Sequence, residues 1–117
     1  MKISTMRDLL EAKVLCCEEN VGRHVYSACG CDLMSDVLAY VKDQAVLLTG
    51  LVNSQVIRTA EMMDMICIVF VRSKMPNDEM LKLARDAGIV VMATDKRMYE
   101  ACGLLYANGL VGNKVRK

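Results

Sequence analysis

The chain has 117 residues, the size of one ordinary domain and too short for two. Hydrophobic residues make up 54% and charged residues 25%, which excludes a disordered chain. Fifteen Lys and Arg stand against fourteen Asp and Glu, for a net charge of +1, and there is no Trp and one Phe, so neither a nucleic-acid partner nor an acidic membrane is expected.

Thr5-Met6-Arg7-Asp8 has the form of a capping box with Asp in place of Glu. It predicts a short helix carrying Leu9, Leu10 and Ala12. Val14-Leu15-Cys16 reads as a strand, Glu18-Glu19-Asn20-Val21-Gly22 as a turn and 23–28 as a second strand. This opening, 1–30, is an irregular α/β start. Cys31-Asp32 then opens a helix with Leu33, Val37, Tyr40 and Val41 on one side.

From Ala45 the pattern becomes regular. Ala45-Val46-Leu47-Leu48-Thr49, residues 65–71 and residues 88–94 are short, continuously apolar runs rich in β-branched residues. Such runs suit strands covered on both faces, hence a parallel sheet. Asn53 or Ser54 caps a helix through Val56, Ile57, Ala60 and Met63. Pro76-Asn77-Asp78-Glu79 opens the next, with Met80, Leu81, Leu83, Ala84 and Ala87 on its apolar side and Gly88 ending it. Thr94 or Asp95 caps a last helix through Met98, Ala101, Leu104 and Leu105, stopped by Asn108-Gly109. Right-handed crossovers turn this β-α order into a parallel sheet with helices packed on it. Residues 113–117 read as a frayed tail, and no repeat or linker divides the chain.

Six cysteines invite a disulfide or metal reading. Met1-Lys2-Ile3-Ser4-Thr5 carries no apolar signal-peptide region, so free thiols in a reducing cytoplasm are expected. Cys16-Cys17 and Cys29-Gly30-Cys31 lack the spacing of common zinc sites, and adjacent Cys16 and Cys17 point to opposite sides of a strand. No metal and no cofactor is expected. Cys31 is a reactive-thiol candidate, because a thiolate opening a helix faces the positive end of its dipole. The ten methionines read as core filler or as a subunit interface. No apolar run has the length of a membrane-spanning helix.

Thr49-Gly50 joins a strand to a helix start at Asn53 and Ser54, the kind of turn that offers N–H groups to anions. It is neither a Walker A motif nor a dinucleotide fingerprint. Arg72, Ser73, Lys74, Thr94, Asp95 and Lys96 follow the other strands, so they reach the same edge, where open parallel sheets bind ligands. Asp32 and Asp36 lie one turn apart and form a carboxylate pair, with Asp32 also serving the helix N-terminus. No Gly-x-Ser-x-Gly or His-Glu-x-x-His motif occurs. An enzyme would have to use Cys31 as nucleophile and Asp36 as acid or metal ligand.

Ala28-Cys29-Gly30-Cys31-Asp32-Leu33-Met34-Ser35-Asp36-Val37-Leu38-Ala39 resembles the D-L-L-S-D-V-M stretch of DRTGG-domain proteins. Val46-Leu47-Leu48-Thr49-Gly50, residues 53–61, Ile68-Val69-Phe70-Val71, residues 76–87, Gly88-Ile89-Val90-Val91, Thr94 and Tyr99-Glu100-Ala101 follow in that family's order. The family's Gly-Asp-Arg turn is replaced by Gly50-Leu51-Val52-Asn53, so any ligand role of that Asp and Arg does not carry over. The chain is most similar to short stand-alone members encoded near iron-only hydrogenase and electron-transfer genes. The resemblance implies an α/β fold like the N-terminal domain of HPr kinase, without the kinase P-loop. It also implies a non-catalytic regulatory or assembly domain over 1–117, a homodimer with a protein partner in hydrogen or redox metabolism. The competing expectation is a sensor of a small anion or nucleotide at the strand ends, bound by Thr49, Gly50, Asn53, Ser54, Asp36, Arg72 and Thr94.

Overall fold

A computed structural model describes residues 1–39 and 44–111. The element order is α1 (Ile3–Leu10), β1 (Lys13–Cys16), a 3-10 turn at Glu18–Asn20, β2 (Ser27–Gly30), α2 (Met34–Leu38), β3 (Ala45–Thr49), α3 (Ser54–Met62), β4 (Cys67–Phe70), α4 (Asp78–Ala87), β5 (Val90–Ala93) and α5 (Met98–Ala107). The strands form one sheet in the order β1-β5-β4-β3-β2.

β2 to β5 are mutually parallel, with Leu47 opposite Cys29 on one side and Ile68 on the other. β1 joins the edge antiparallel to β5, so the sheet is mixed where a parallel one was expected. The connection explains it. An antiparallel β1 ends where β2 begins, so residues 17–26 need only run along one end of the sheet. A parallel pair needs a crossover of about a dozen residues or more, usually a helix.

Three successive right-handed crossovers step the same way, which puts α2, α3 and α4 on one face, packed in sequence. α1 and α5 pack together on the other. Every residue of β3, β4 and β5 is buried, as their unbroken apolar runs require. Asn53 and Asn77 cap α3 and α4, accepting the amides of Gln55 (2.8 Å) and Met80 (2.9 Å). Gly88 closes α4 in the left-handed region, φ 71°.

The first third departs from its predicted boundaries. α1 begins at Ile3 with no side-chain cap, leaving Thr5 and Asp8 inside the helix. Its first amides are satisfied from elsewhere: Ile3 donates to Arg23 O (3.0 Å) and Ser4 to Val21 O (2.9 Å). The Val25 amide bonds Met1 O at 2.8 Å, so β2 starts only at Ser27. α2 starts at Met34 after Leu33, and not at Cys31-Asp32; Leu33 itself is exposed. The predicted Tyr40 and Val41 face and the 113–117 tail lie outside the described residues. At the other end, Arg97 is the N-cap of α5, not Thr94 or Asp95.

Candidate functional site

β2, β3, β4 and β5 end on one edge, so four connecting segments meet there. Asp32, just past β2, is the hub of three of them. Its Oδ1 accepts the Gly50 amide at 2.7 Å and the Thr49 hydroxyl at 3.1 Å. Its Oδ2 stands 3.4 Å from the Arg72 guanidinium. The Gly50 amide and Thr49 hydroxyl, expected to face a bound anion, are instead taken by the chain's own Asp32 carboxylate. Asp32 does this from outside α2, which corrects its assignment to the helix N-terminus. Asp32 and Arg72 are 48% and 46% exposed, so their pair contributes at most about 1 kcal/mol and serves mainly to aim the guanidinium. The absent side chain of Gly50 leaves room for that guanidinium, which occupies the space a Cβ would take and would have to swing aside for one. Its φ is not among the positive values, so the constraint is space and not backbone.

A second feature lies between β4 and β5. α4 leaves β4 toward one face and α5 leaves β5 toward the other. Such a divergence of neighbouring strand ends opens a crevice, the topological switch point of a parallel sheet. Arg72 and Ser73, both at φ 59°, hold consecutive left-handed conformations that non-glycine residues rarely adopt. Two hydrogen bonds fix them: the Arg72 amide to Lys96 O (2.8 Å) and the Ser73 amide to Thr94 O (3.1 Å). Ser73 Oγ donates to Asp95 Oδ1 at 2.8 Å. The crevice has a volume of about 650 Å³ and is lined by Arg72, Ser73, Lys74, Asp95 and Arg97. Lys96 pairs with Glu11 at 3.5 Å. Lys74 and Arg97 have no carboxylate within ion-pair distance among the described residues.

The other predicted site residues separate. Asn53 and Ser54 line a groove of about 490 Å³ between α2 and α3, with Leu38, Arg58 and Met62. Asp36 is exposed in the first turn of α2. Thr94 is buried; its hydroxyl donates to Leu10 O at 2.7 Å and accepts the Lys96 amide at 3.2 Å, so it ties α1 to the sheet. Thus the structure unites Thr49, Gly50 and Arg72 around Asp32, leaves Asn53, Ser54 and Asp36 apart, and turns the Thr94 hydroxyl to α1 while its backbone carbonyl holds the Ser73 amide. Arg97 escaped the sequence reading. A strand-to-helix loop runs to the first helical residue, and with the cap misplaced at Thr94 or Asp95 the residue fell inside a helix.

The thiols are also rearranged. Cys31 does not open α2 but lies three residues before it; its Sγ accepts the amide of the N-cap residue Leu33 at 3.3 Å. Cys17 is left-handed at φ 59°, which turns its thiol toward Cys16 instead of to the opposite side. Burial first, then Cys16, pushes the Cys17 thiol from 9.0 up to about 11. Burial likewise pushes Cys67 and Cys102 up. Cys102 packs against β2: a Cβ at Gly30 would stand 2.6 Å from its sulfur. Among the described residues no three His, Cys, Asp or Glu side chains converge as a metal set, and no helix is long and apolar enough to cross a membrane.

α5 carries apolar side chains on its outer side as well as on its inner one. Ala101 and Leu105 are buried against the sheet. Its outer side exposes Tyr99 (93%) and Tyr106 (66%), with Glu100, beside Met98, Cys102, Gly103 and Ala107, around a shallow groove of about 760 Å³. A smaller cavity of about 210 Å³ lies where α5 leaves β2 incompletely covered, between Ala28, Gly30, Leu48, Tyr106 and Leu110.

No family model matches the sequence, and no curated protein does. The structure is similar to that of the CBS and DRTGG domains of the regulatory region of Clostridium perfringens pyrophosphatase, complexed with activator, diadenosine tetraphosphate. The TM-score is 0.71 at 15% sequence identity, over 89% of this chain and 45% of that one. This chain thus spans less than half the length of its neighbour. The likeness is one of fold: an α/β arrangement with a mostly parallel, mixed five-stranded sheet, similar to a CBS and DRTGG domain region.

Proposed function

We propose that the chain, as one DRTGG-like unit over 1–117, is a non-catalytic regulatory module that acts by assembly, as a homodimer. The observation that supports this best is α5. A surface helix normally turns charged and polar residues to solvent. α5 buries one side in the sheet and exposes Tyr99 and Tyr106 on the other, with Glu100 the charged residue beside them. An interface of standard size buries about 1,600 Å² in total. Light scattering across a dilution series tests the reading: a dimer is expected, with Tyr106→Lys monomeric and folded. A wild-type monomer at high micromolar concentration overturns it. The resemblance to short DRTGG proteins supports an HPr-kinase-like fold and a partner protein in hydrogen or electron-transfer metabolism, and the free thiols support a cytoplasmic setting.

A second reading, a small-ligand sensor at the carboxyl edge, is favoured by the crevice between β4 and β5. Thermal shift against nucleotides and acyl phosphates tests it. A ligand at 100 times its Kd adds about 2.7 kcal/mol of stability. Gly50→Val, which displaces Arg72 without demanding a new backbone conformation, is expected to weaken the response.

A further inference from the structure

We infer that the crevice between β4 and β5 binds phosphoryl groups, in particular a diphosphate, free or as an ester. The inference rests on the sensor reading and names its site and ligand class. Three cations, Arg72, Lys74 and Arg97, line the crevice against one carboxylate, Asp95. That carboxylate already accepts the Ser73 hydroxyl. Lys74 and Arg97 have no anionic partner among the described residues. With Asp95 in the crevice and Asp32 on Arg72, one cation stands in excess, and two once a ligand takes Arg72 from Asp32, which suits a ligand with more than one negative charge. A phosphoryl group carries about −1.5 to −2 at neutral pH, where a carboxylate carries one.

Two guanidinium forks suit phosphate oxygens, and the ammonium of Lys74 adds a point charge. The volume, about 650 Å³, lies within the span of small-molecule sites, about 300–1,000 Å³. Among the described residues no aromatic or apolar side chain lines the crevice, so a base would find only the guanidinium planes to stack on. It reads phosphoryl groups and leaves the organic remainder of an ester in solvent. The amides of Arg72 and Ser73 are spent on Lys96 O and Thr94 O, so the side chains do the binding. Arg72 stands between two anions: Asp32 holds it now, and a ligand would compete for it.

The test is isothermal titration of the full chain with inorganic pyrophosphate, with ADP as the ester and sulfate as a generic dianion. Pyrophosphate and ADP are expected to bind with similar affinity, and sulfate more weakly. Lys74→Gln and Arg97→Gln each weaken pyrophosphate about tenfold, the loss of one charged hydrogen bond. Both side chains are exposed, so an unchanged melting temperature verifies folding. Asp32→Asn keeps an acceptor for the Gly50 amide, releases Arg72 and tightens binding about threefold. Arg58→Gln, in the α2–α3 groove, leaves it unchanged. No heat with pyrophosphate at millimolar concentration, or equal losses in the Arg58, Lys74 and Arg97 variants, overturns the inference. A thermal shift by another ligand that ignores Lys74 and Arg97 overturns it while sparing the sensor reading. No shift by any ligand ends both.

Discussion

The chain from Ala45 to Leu110 and the chain before it are built by different means. In the later part β3 and β4 each pass to a helix and return as the neighbouring strand, and β5 passes to α5. Asn53, Asn77 and Gly88 mark the boundaries from within the segment they bound. In the earlier part, α1 draws its first hydrogen bonds from residues 21–23, and Leu10 O is held by Thr94. Local signals therefore govern one region and distant partners the other. Where partners are distant, a cap-like sequence such as Thr5 to Asp8 is overruled.

The strongest way to break this contrast is in the core. Phe70 in β4 and Leu10 in α1 are both fully buried. Phe70→Ala is expected to cost about 3–5 kcal/mol and Leu10→Ala about 2–5 kcal/mol. Urea denaturation read by circular dichroism should give one transition for each, because one core joins both regions. A separate early transition for Leu10→Ala would mean that the first third is an independent, weaker layer.

Next comes the thiol where the first third turns. The fold holds the Cys17 proton more tightly than the unfolded chain does, with values of about 11 and 9.0. Protons are then bound in excess by the folded state between those two values. The contribution, on the order of 3 kcal/mol, is fully present below pH 9.0 and lost as pH rises through about 11. Melting temperature against pH should fall over that window, and less steeply in Cys17→Ala. Cys67, raised in the same sense, leaves a residual slope. An identical alkaline limb in Cys17→Ala would remove Cys17 from the explanation.

The caps sharpen the comparison directly. Asn77→Ala should lose about 1 kcal/mol, since it strands the Met80 amide. Thr5→Ala should change stability by less than about 0.5 kcal/mol, because Thr5 is exposed inside α1 and caps nothing. Equal losses in chemical denaturation would restore the capping-box reading. The smallest effect belongs to Gly50→Ala. It pushes the Arg72 guanidinium away from Asp32 at a cost of at most about 1 kcal/mol, the worth of an exposed ion pair. A much larger loss would show that the Gly50 backbone, and not the guanidinium, is what the residue protects.

The site divides along the same line. Thr49, Gly50 and Arg72 were legible because each follows a strand whose apolar run marks its end. Asn53 was legible as a cap, and as a cap its carbonyl is engaged. Asp32 looked like a helix residue, since its true partners lie 17, 18 and 40 positions away. Thr94 looked like a ligand or cap residue; only the approach of α1 buries it.

The sequence by itself determined the three central strands, the helices between them and the edge where their loops gather. Each of these follows from apolar runs and turn residues within about ten positions. Tertiary structure alone decided that β1 runs antiparallel, that Asp32 fills the Thr49-Gly50 cradle and that Cys17 faces Cys16. It alone placed Lys74 and Arg97 across one crevice. The physical reason is range. Periodicity and capping are energies between neighbours in sequence, whereas strand direction, burial of a hydroxyl and the meeting of charges depend on which distant backbones close the same core.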